Sequence, residues 1–166
     1  MTGQDTFWNT RGLTLRPAAV DDADAVKQLS CIAFEKYVDQ IGRTPRVMLA
    51  DYRQVIARDR VWVVDERAQL IAVLVLVIND THYHINNIAV HPNNQRQGIG
   101  KALLRQAEAQ SIHEGYGEIW LHTNETMVHN IRLYTSIGYQ EMYRKAYPGS
   151  KSLYMRKTLK NNIADR

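Results

Sequence analysis

Residues Val90 to Leu104 read VHPNNQRQGIGKALL: the end of an apolar strand, a turn punctuated by glycine, and the start of a helix. A helix start carries unpaired backbone N–H groups and the positive end of the helix dipole. Glycines at 98 and 100 remove the side chains that would hold an anion away from those groups. Arg96, Lys101 and Arg105 add positive charge beside the turn. The segment therefore reads as a cradle for a diphosphate.

Two well-known diphosphate cradles fail on particular residues. A P-loop needs G-x-x-x-x-G-K-S/T, but Gln95 stands at the first glycine position and Ala102 follows Lys101. A dinucleotide fingerprint needs G-x-G-x-x-G; Gly98 and Gly100 fit, whereas Leu103 occupies the third glycine position. The acidic residue expected about twenty positions further on is also not evident.

What does fit is Q/R-x-x-G-x-G/A, present as Gln95-Arg96-Gln97-Gly98-Ile99-Gly100 behind the strand end Ile88-Ala89-Val90. This resembles the coenzyme A pyrophosphate loop of the GNAT superfamily of acyl-CoA-dependent N-acyltransferases. Leu133-Tyr134-Thr135-Ser136-Ile137-Gly138-Tyr139 is similar to that family's L-Y-x-x-x-G-F/Y segment, and Leu13-Thr14-Leu15-Arg16-Pro17-Ala18 with Asp21-Asp22 to its first strand and helix start. The resemblance extends over residues 11–159. It implies a mixed α/β fold: a mostly antiparallel, splayed sheet of about seven strands flanked by four helices.

The periodicity and turns of the chain, partly independent of the motif, lead to the order β-α-α-β-β-β-α-β-α-β-β. Leu13 to Leu15 forms a strand, and Asp21 or Asp22 caps a helix whose apolar face is Val26, Leu29, Ala33, Phe34 and Tyr37. Thr44-Pro45 opens a second helix with the stripe Met48, Tyr52, Val55, Ile56. Strands follow at 60–64, 70–78 and 82–90, then a helix over 98–113, a strand over 118–123 and a helix over 127–136. A hairpin at the carboxyl end pairs 140–147 with 152–159 about Pro148-Gly149. The first ten residues are polar and are expected to be loose.

The chain has 166 residues, 45% hydrophobic and 23% charged, which suits one globular domain over 1–166. The longest apolar run, Leu70 to Ile78, is strand-sized and far below the ~20 residues of a membrane span. No secretory pattern is visible at the amino end, and the lone Cys31 cannot form an internal disulfide, so a cytoplasmic location is expected. A net charge of +4 and a pI near 9.2 come without a basic run interleaved with aromatics, which argues against nucleic acid. No membrane partner is expected, and a homodimer is possible because GNAT proteins often pair.

The resemblance implies acetyl-CoA as cosubstrate and a primary amine of a small molecule or peptide as acceptor. It assigns the pantetheine arm to the backbone of Ile88, Ala89 and Val90, and the diphosphate to Gln95, Arg96, Gln97, Gly98, Ile99, Gly100, Lys101 and Ala102. Tyr134 stands where relatives keep a general acid beside the sulfur; a phenol with a pKa of about 10 is protonated at neutral pH. The base position, counted back along the strand, is His84, with His82 and Asn86 on the same face if no bulge intervenes. Asn86 and Asn87 stand where many relatives carry a carboxylate, and Glu125 is the alternative base. Asn124 and Asn130 are candidate pantetheine contacts, since the family's asparagine slot is Met127 here.

His82, His84 and His122 lack a carboxylate or thiol to complete a zinc set, so no metal is expected. The acceptor is expected to meet 35–46 and 143–151, where Phe34, Tyr37, Arg43 and Arg46 would favour an aromatic or carboxylate-bearing amine. Direct transfer in a ternary complex is expected, because Cys31 lies far from the motif. Two alternatives stay open: an acyl-CoA-sensing module without chemistry, and acetylation of aminoacyl-tRNA.

Overall fold

A computed structural model describes residues 3–160. Seven strands form one sheet in the order β1-β2-β3-β4-β5-β7-β6. They are β1 Leu13–Pro17, β2 Arg60–Glu66, β3 Gln69–Ile78, β4 Tyr83–Val90, β5 Glu118–Asn124, β6 Gln140–Tyr147 and β7 Ser150–Thr158. Every neighbouring pair is antiparallel except β4 and β5. Those two run parallel and are joined by the helix α6 (Ile99–His113), as a parallel pair requires. The remaining helices are α1 Gly3–Asn9, α2 Ala23–Phe34, α3 Val38–Ile41, α4 Arg46–Leu49, α5 Tyr52–Arg58 and α7 Val128–Ser136.

The sheet buries both faces. On one side Ile99, Leu103, Leu104 and Ala107 of α6 meet Leu74, Leu76, Tyr83, Ile85, Ile119 and Leu121. On the other, Ala23, Val26, Leu29 and Ala33 of α2, with Tyr52 of α5, cover Val61, Val63, Val73, Val75 and Ala89. Central β3 is apolar on both faces, which is why its sequence lacks the alternation of a half-exposed strand.

The helical segments before β2 depart from the sequence expectation. The helix expected after β1, α2, ends at Phe34, and the chain goes on through a single 3₁₀ turn over Glu35–Tyr37 into the short α3. Asp22 does not cap it: its carboxylate accepts from the backbone N–H of Ala19 (2.7 Å) and pairs with Arg16 (2.7 Å). Arg16 also binds Asp65 at 2.6 Å, fastening the start of α2 to β1 and β2. The expected second helix is two pieces, because Ala50 and Asp51 are extended and Asp51 caps α5 through the N–H groups of Arg53 and Gln54.

The amino terminus also differs from expectation. Residues 3–9 form a helix, and Trp8, only 4% exposed, enters the core beside the edge of Phe7. Polar neighbours hide this contribution in the sequence, since burial falls on one or two side chains. Replacing Trp8 by Ala is expected to lower unfolding free energy by about 3 kcal/mol. Chemical denaturation checks this, and a loss under about 0.5 kcal/mol would mean that α1 does not stay docked.

Candidate active site

The site begins with a fault in the sheet. Pairing between β3 and β4 sets Val75 opposite Asn87 and Leu76 opposite Ile85, which leaves Asn86 as an extra residue. Such a bulge bends its strand. It also exchanges the faces: Tyr83 and Ile85 point to the α6 side, whereas beyond the bulge Ile88 and Val90 do so and Asn87 and Ala89 turn toward α2. His84 therefore does not share its face with a regularly placed Asn86. The β4–β5 pairing covers only Tyr83–Ile119 to Ile85–Leu121. Past Ile85 the two strands separate, and the edge of β4 facing β5 has no strand partner among the described residues.

Two clefts open into this separation. One, of about 580 Å³, runs along Ile88, Ala89 and Val90 to the loop at Gln95, Arg96 and Gly98 and the first turn of α6. The other, of about 420 Å³, lies toward β5, β7 and the α4 region. They share Phe34, Ile88, Met127, Asn130 and Tyr134 as a common wall.

The loop has the geometry expected of an anion cradle. Arg96 and Gly98 both hold positive φ (62° and 83°), which turns successive N–H groups inward. The first helical bond runs from the N–H of Ala102 to the carbonyl of Gly98 at 2.9 Å. The N–H groups of residues 98–101 donate to no backbone carbonyl among the described residues. At Gly100 an added Cβ would meet only Val90, at 4.0 Å, so the protein itself does not require a glycine there. A methyl group at Gly100 would instead occupy room beside the free N–H groups. Gln95 steadies the loop, donating to the carbonyl of Val90 (3.0 Å) and accepting from Lys36 (3.2 Å). These residues suit the diphosphate and pantetheine of coenzyme A.

The other expected residues divide. Asn130 lines both clefts, and Asn124 lines only the one toward β5, its side chain held by the N–H (3.0 Å) and hydroxyl (2.7 Å) of Thr126. Gln97 points to solvent, and Ala102 is buried against the sheet with its N–H already bonded. Neither lines a cleft. Glu125 is drawn aside by Arg144 of β6 at 3.1 Å and also lines neither. His84 sits behind the cleft wall, its Nε2 2.7 Å from Nδ1 of His122, which does face the cleft. No third metal-ligating group joins them among the described residues. Cys31 lies against the carbonyl of Met48 and lines neither cleft.

Burial sets the protonation of these groups. Desolvation first, then the charges of His122 and His82, push His84 down to about 3. Desolvation and Arg46 likewise lower His122. Tyr134, 6% exposed, is pushed up to about 12 by burial, with Tyr37 adding to the shift, and its hydroxyl donates to no group among the described residues. Asn87 donates to Tyr52 (2.8 Å) and Ser30 (3.0 Å), but its side-chain oxygen has no partner.

Sequence reasoning missed the aromatic row that floors the second cleft. His122 of β5 pairs with Tyr154 of β7, and their rings stack at 5.3 Å; Tyr154 in turn stacks on Tyr143 of β6 at 4.6 Å. The hydroxyls of Tyr147 and Tyr154 lie 3.1 Å apart. Only the strand register brings these residues together, and no local pattern announces it.

The sequence profile of the acetyltransferase (GNAT) family matches residues 25–139. The chain belongs to that family. The ribosomal protein bS18-alanine N-acetyltransferase of Escherichia coli K12 is 39% identical over 64 residues, 37% of this chain and 43% of that enzyme, so the match spans under half of the relative's length. Among solved structures, the Escherichia coli ribosomal-protein-S18-alanine N-acetyltransferase superposes with a TM-score of 0.69 at 20% identity, covering 92% of this chain and 99% of the other. PaiA N-acetyltransferase from Thermoplasma acidophilum, in complex with coenzyme A, gives 0.73 at 16% identity over 88% and 98%. At such identities the superpositions establish the fold. No helix among the described residues is long and apolar enough to cross a membrane.

Two outcomes follow from this geometry. Gly100→Ala is expected to leave stability unchanged or raise it by about 0.5–1 kcal/mol, since Ala is the better helix residue. The same change should weaken acetyl-CoA binding, measured by calorimetry, by tenfold or more on the order of a lost charge-assisted contact. Separately, His84 binds a proton in the unfolded chain below about 6.5 but in the folded protein only near 3. Stability should therefore fall as pH drops through that window, by up to about 1.4 kcal/mol per pH unit. His84→Gln should flatten that acid limb in denaturation curves.

Proposed function

We propose that the protein is an N-acetyltransferase that moves the acetyl group of acetyl-CoA to a primary amine by direct attack in a ternary complex. The observation that carries this reading is the meeting of two clefts at the β4–β5 separation, with Tyr134 in their shared wall. When bound, acetyl-CoA supplies an activated acetyl group and a thiolate leaving group.

The free edge of β4 at Ile88 to Val90 holds the pantetheine arm as a further strand would, and the N–H groups of residues 98–101 with Arg96 and Lys101 hold the diphosphate. This alignment accounts for much of the catalysis, because holding two reactants in register is worth several kcal/mol, up to about 7–11 in ideal cases. Tyr134, protonated throughout the neutral range, donates its proton or a hydrogen bond to the departing sulfur. The amine loses its proton in the second cleft. His122, kept neutral by burial and facing that cleft, is better placed to receive it than His84 behind it or Glu125 beside Arg144. The ribosomal-protein-alanine activity named for the Escherichia coli relative makes a peptide α-amine one acceptor to try.

Calorimetry with acetyl-CoA, using NADH and ATP as controls, followed by thiol release with an amine panel, tests the reading. Selective binding and amine-dependent thiol release are expected; a folded protein that ignores acetyl-CoA would overturn it. Tyr134→Phe should lower kcat by about 10²-fold while acetyl-CoA affinity survives. Full turnover in that variant would remove Tyr134 from the chemistry.

A further inference from the structure

The second cleft has an unusual charge balance for a site that receives amines. Arg43, Arg46 and Arg58 line it, and no aspartate or glutamate among the described residues does. Arg58 is neutralised by Asp59 at 2.8 Å. Arg43 and Arg46 take part in no ion pair among the described residues. Instead their guanidinium groups stand 5.3 and 6.0 Å from the Tyr147 ring centroid, with Lys145 5.3 Å from the same ring. The charge of Arg46 reaches into the cleft: it adds to the burial that lowers His122, adds to the Tyr154 hydrogen bond that lowers Tyr147, and opposes the rise that burial imposes on Tyr154.

A primary amine is a cation in neutral water, and a cation entering this cleft finds cations and no carboxylate. Like charges at short range cost free energy, and the penalty grows as water is excluded. An acceptor that carries an anionic group on the same molecule reverses the sign. Its oxyanion can meet two guanidinium forks that stand beside one aromatic ring, and such forks can bind an oxyanion bidentately. The same positive field disfavours the ammonium form of the amine, which assists its deprotonation where the histidines are weak bases.

Resting on the acetyltransferase reading, we infer that the acceptor is an amine that brings its own anion, a carboxylate or phosphate held by Arg43 and Arg46 at the mouth of the second cleft. The aromatic row of His122, Tyr154 and Tyr147 then forms the floor along which the body of such a substrate lies. Amines that carry no anionic group, which enter as cations, and polycationic amines are disfavoured by the same field.

The test compares matched acceptors by thiol release: L-phenylalanine, its amide and phenethylamine, with O-phosphoethanolamine against ethanolamine, and spermidine as a polycation. The member of a set that carries a carboxylate or phosphate is expected to show kcat/KM at least about tenfold above its counterpart without one, chiefly through KM. Raising salt should shrink that margin. The Arg43→Gln/Arg46→Gln double variant should erase the margin while binding acetyl-CoA like the parent, because neither residue lines the cofactor cleft. A second readout needs no turnover: N-acetylphenylalanine should bind the CoA-loaded protein in calorimetry more tightly than N-acetylphenylalanine amide, and the double variant should lose the difference.

A preference in the phenylalanine set identifies the anion as carboxylate, and one in the ethanolamine set as phosphate. Equal use of members with and without an anionic group, preference for spermidine, or a margin that persists in the double variant overturns the inference and leaves the acetyltransferase reading standing. Failure of acetyl-CoA to bind overturns both. Acetyl-CoA binding with no discrimination between the two acetylated probes and no turnover of any amine overturns the inference.

Discussion

Everything at the site depends on where β4 stops pairing with β5. Parallel strands normally continue their ladder, because a backbone N–H or carbonyl left without a partner costs free energy when buried. Here the ladder ends after Ile85 and Leu121, just before the extra residue Asn86 bends β4 away. The freed edge of β4 is left with backbone groups that seek a partner, and the space beside it connects two clefts. The core under α6 spans both halves, while the core under α2 and α5 covers only β2, β3 and β4.

The bulge has a second effect that decides side-chain roles. By reversing the alternation of β4 it turns Asn87 into the network with Ser30 and Tyr52, and leaves Ile88 and Val90 against the α6 core. A strict period of two would have put Asn87 on the opposite face. Strand arithmetic thus named His84 as the base, whereas the histidine that faces the cleft is His122, which stands one strand over and bonds to it. Glu125 was plausible by distance along the chain, but the pairing of β5, β7 and β6 brings Arg144 to it.

The loop was far more legible. A turn into a helix start has its function written in adjacent residues: glycine where a side chain would block, positive charge beside it, and N–H groups that the helix leaves unpaired. Each of those features is local, so the structure returned them with little change. Gln97 and Ala102 are the exceptions within the segment, one turned outward and the other used for packing. The segment at the amino terminus was illegible for the converse reason. Its docking rests on Trp8 meeting a core assembled from distant strands.

The amino-acid sequence by itself determined the order of the strands, the glycine turn into α6, the tyrosine of the L-Y-x-x-x-G-Y segment and hence the family. Those depend on periodicity, turn chemistry and short spacings, which are properties of neighbours along the chain. The tertiary structure alone decided which histidine faces the cleft, that β6 and β7 bring Tyr147 and Tyr154 to its floor, and that Arg43 and Arg46 line it without acidic partners among the described residues. Strand register and the bulge set those relations, and both are settled by long-range pairing rather than by any local preference of the residues concerned.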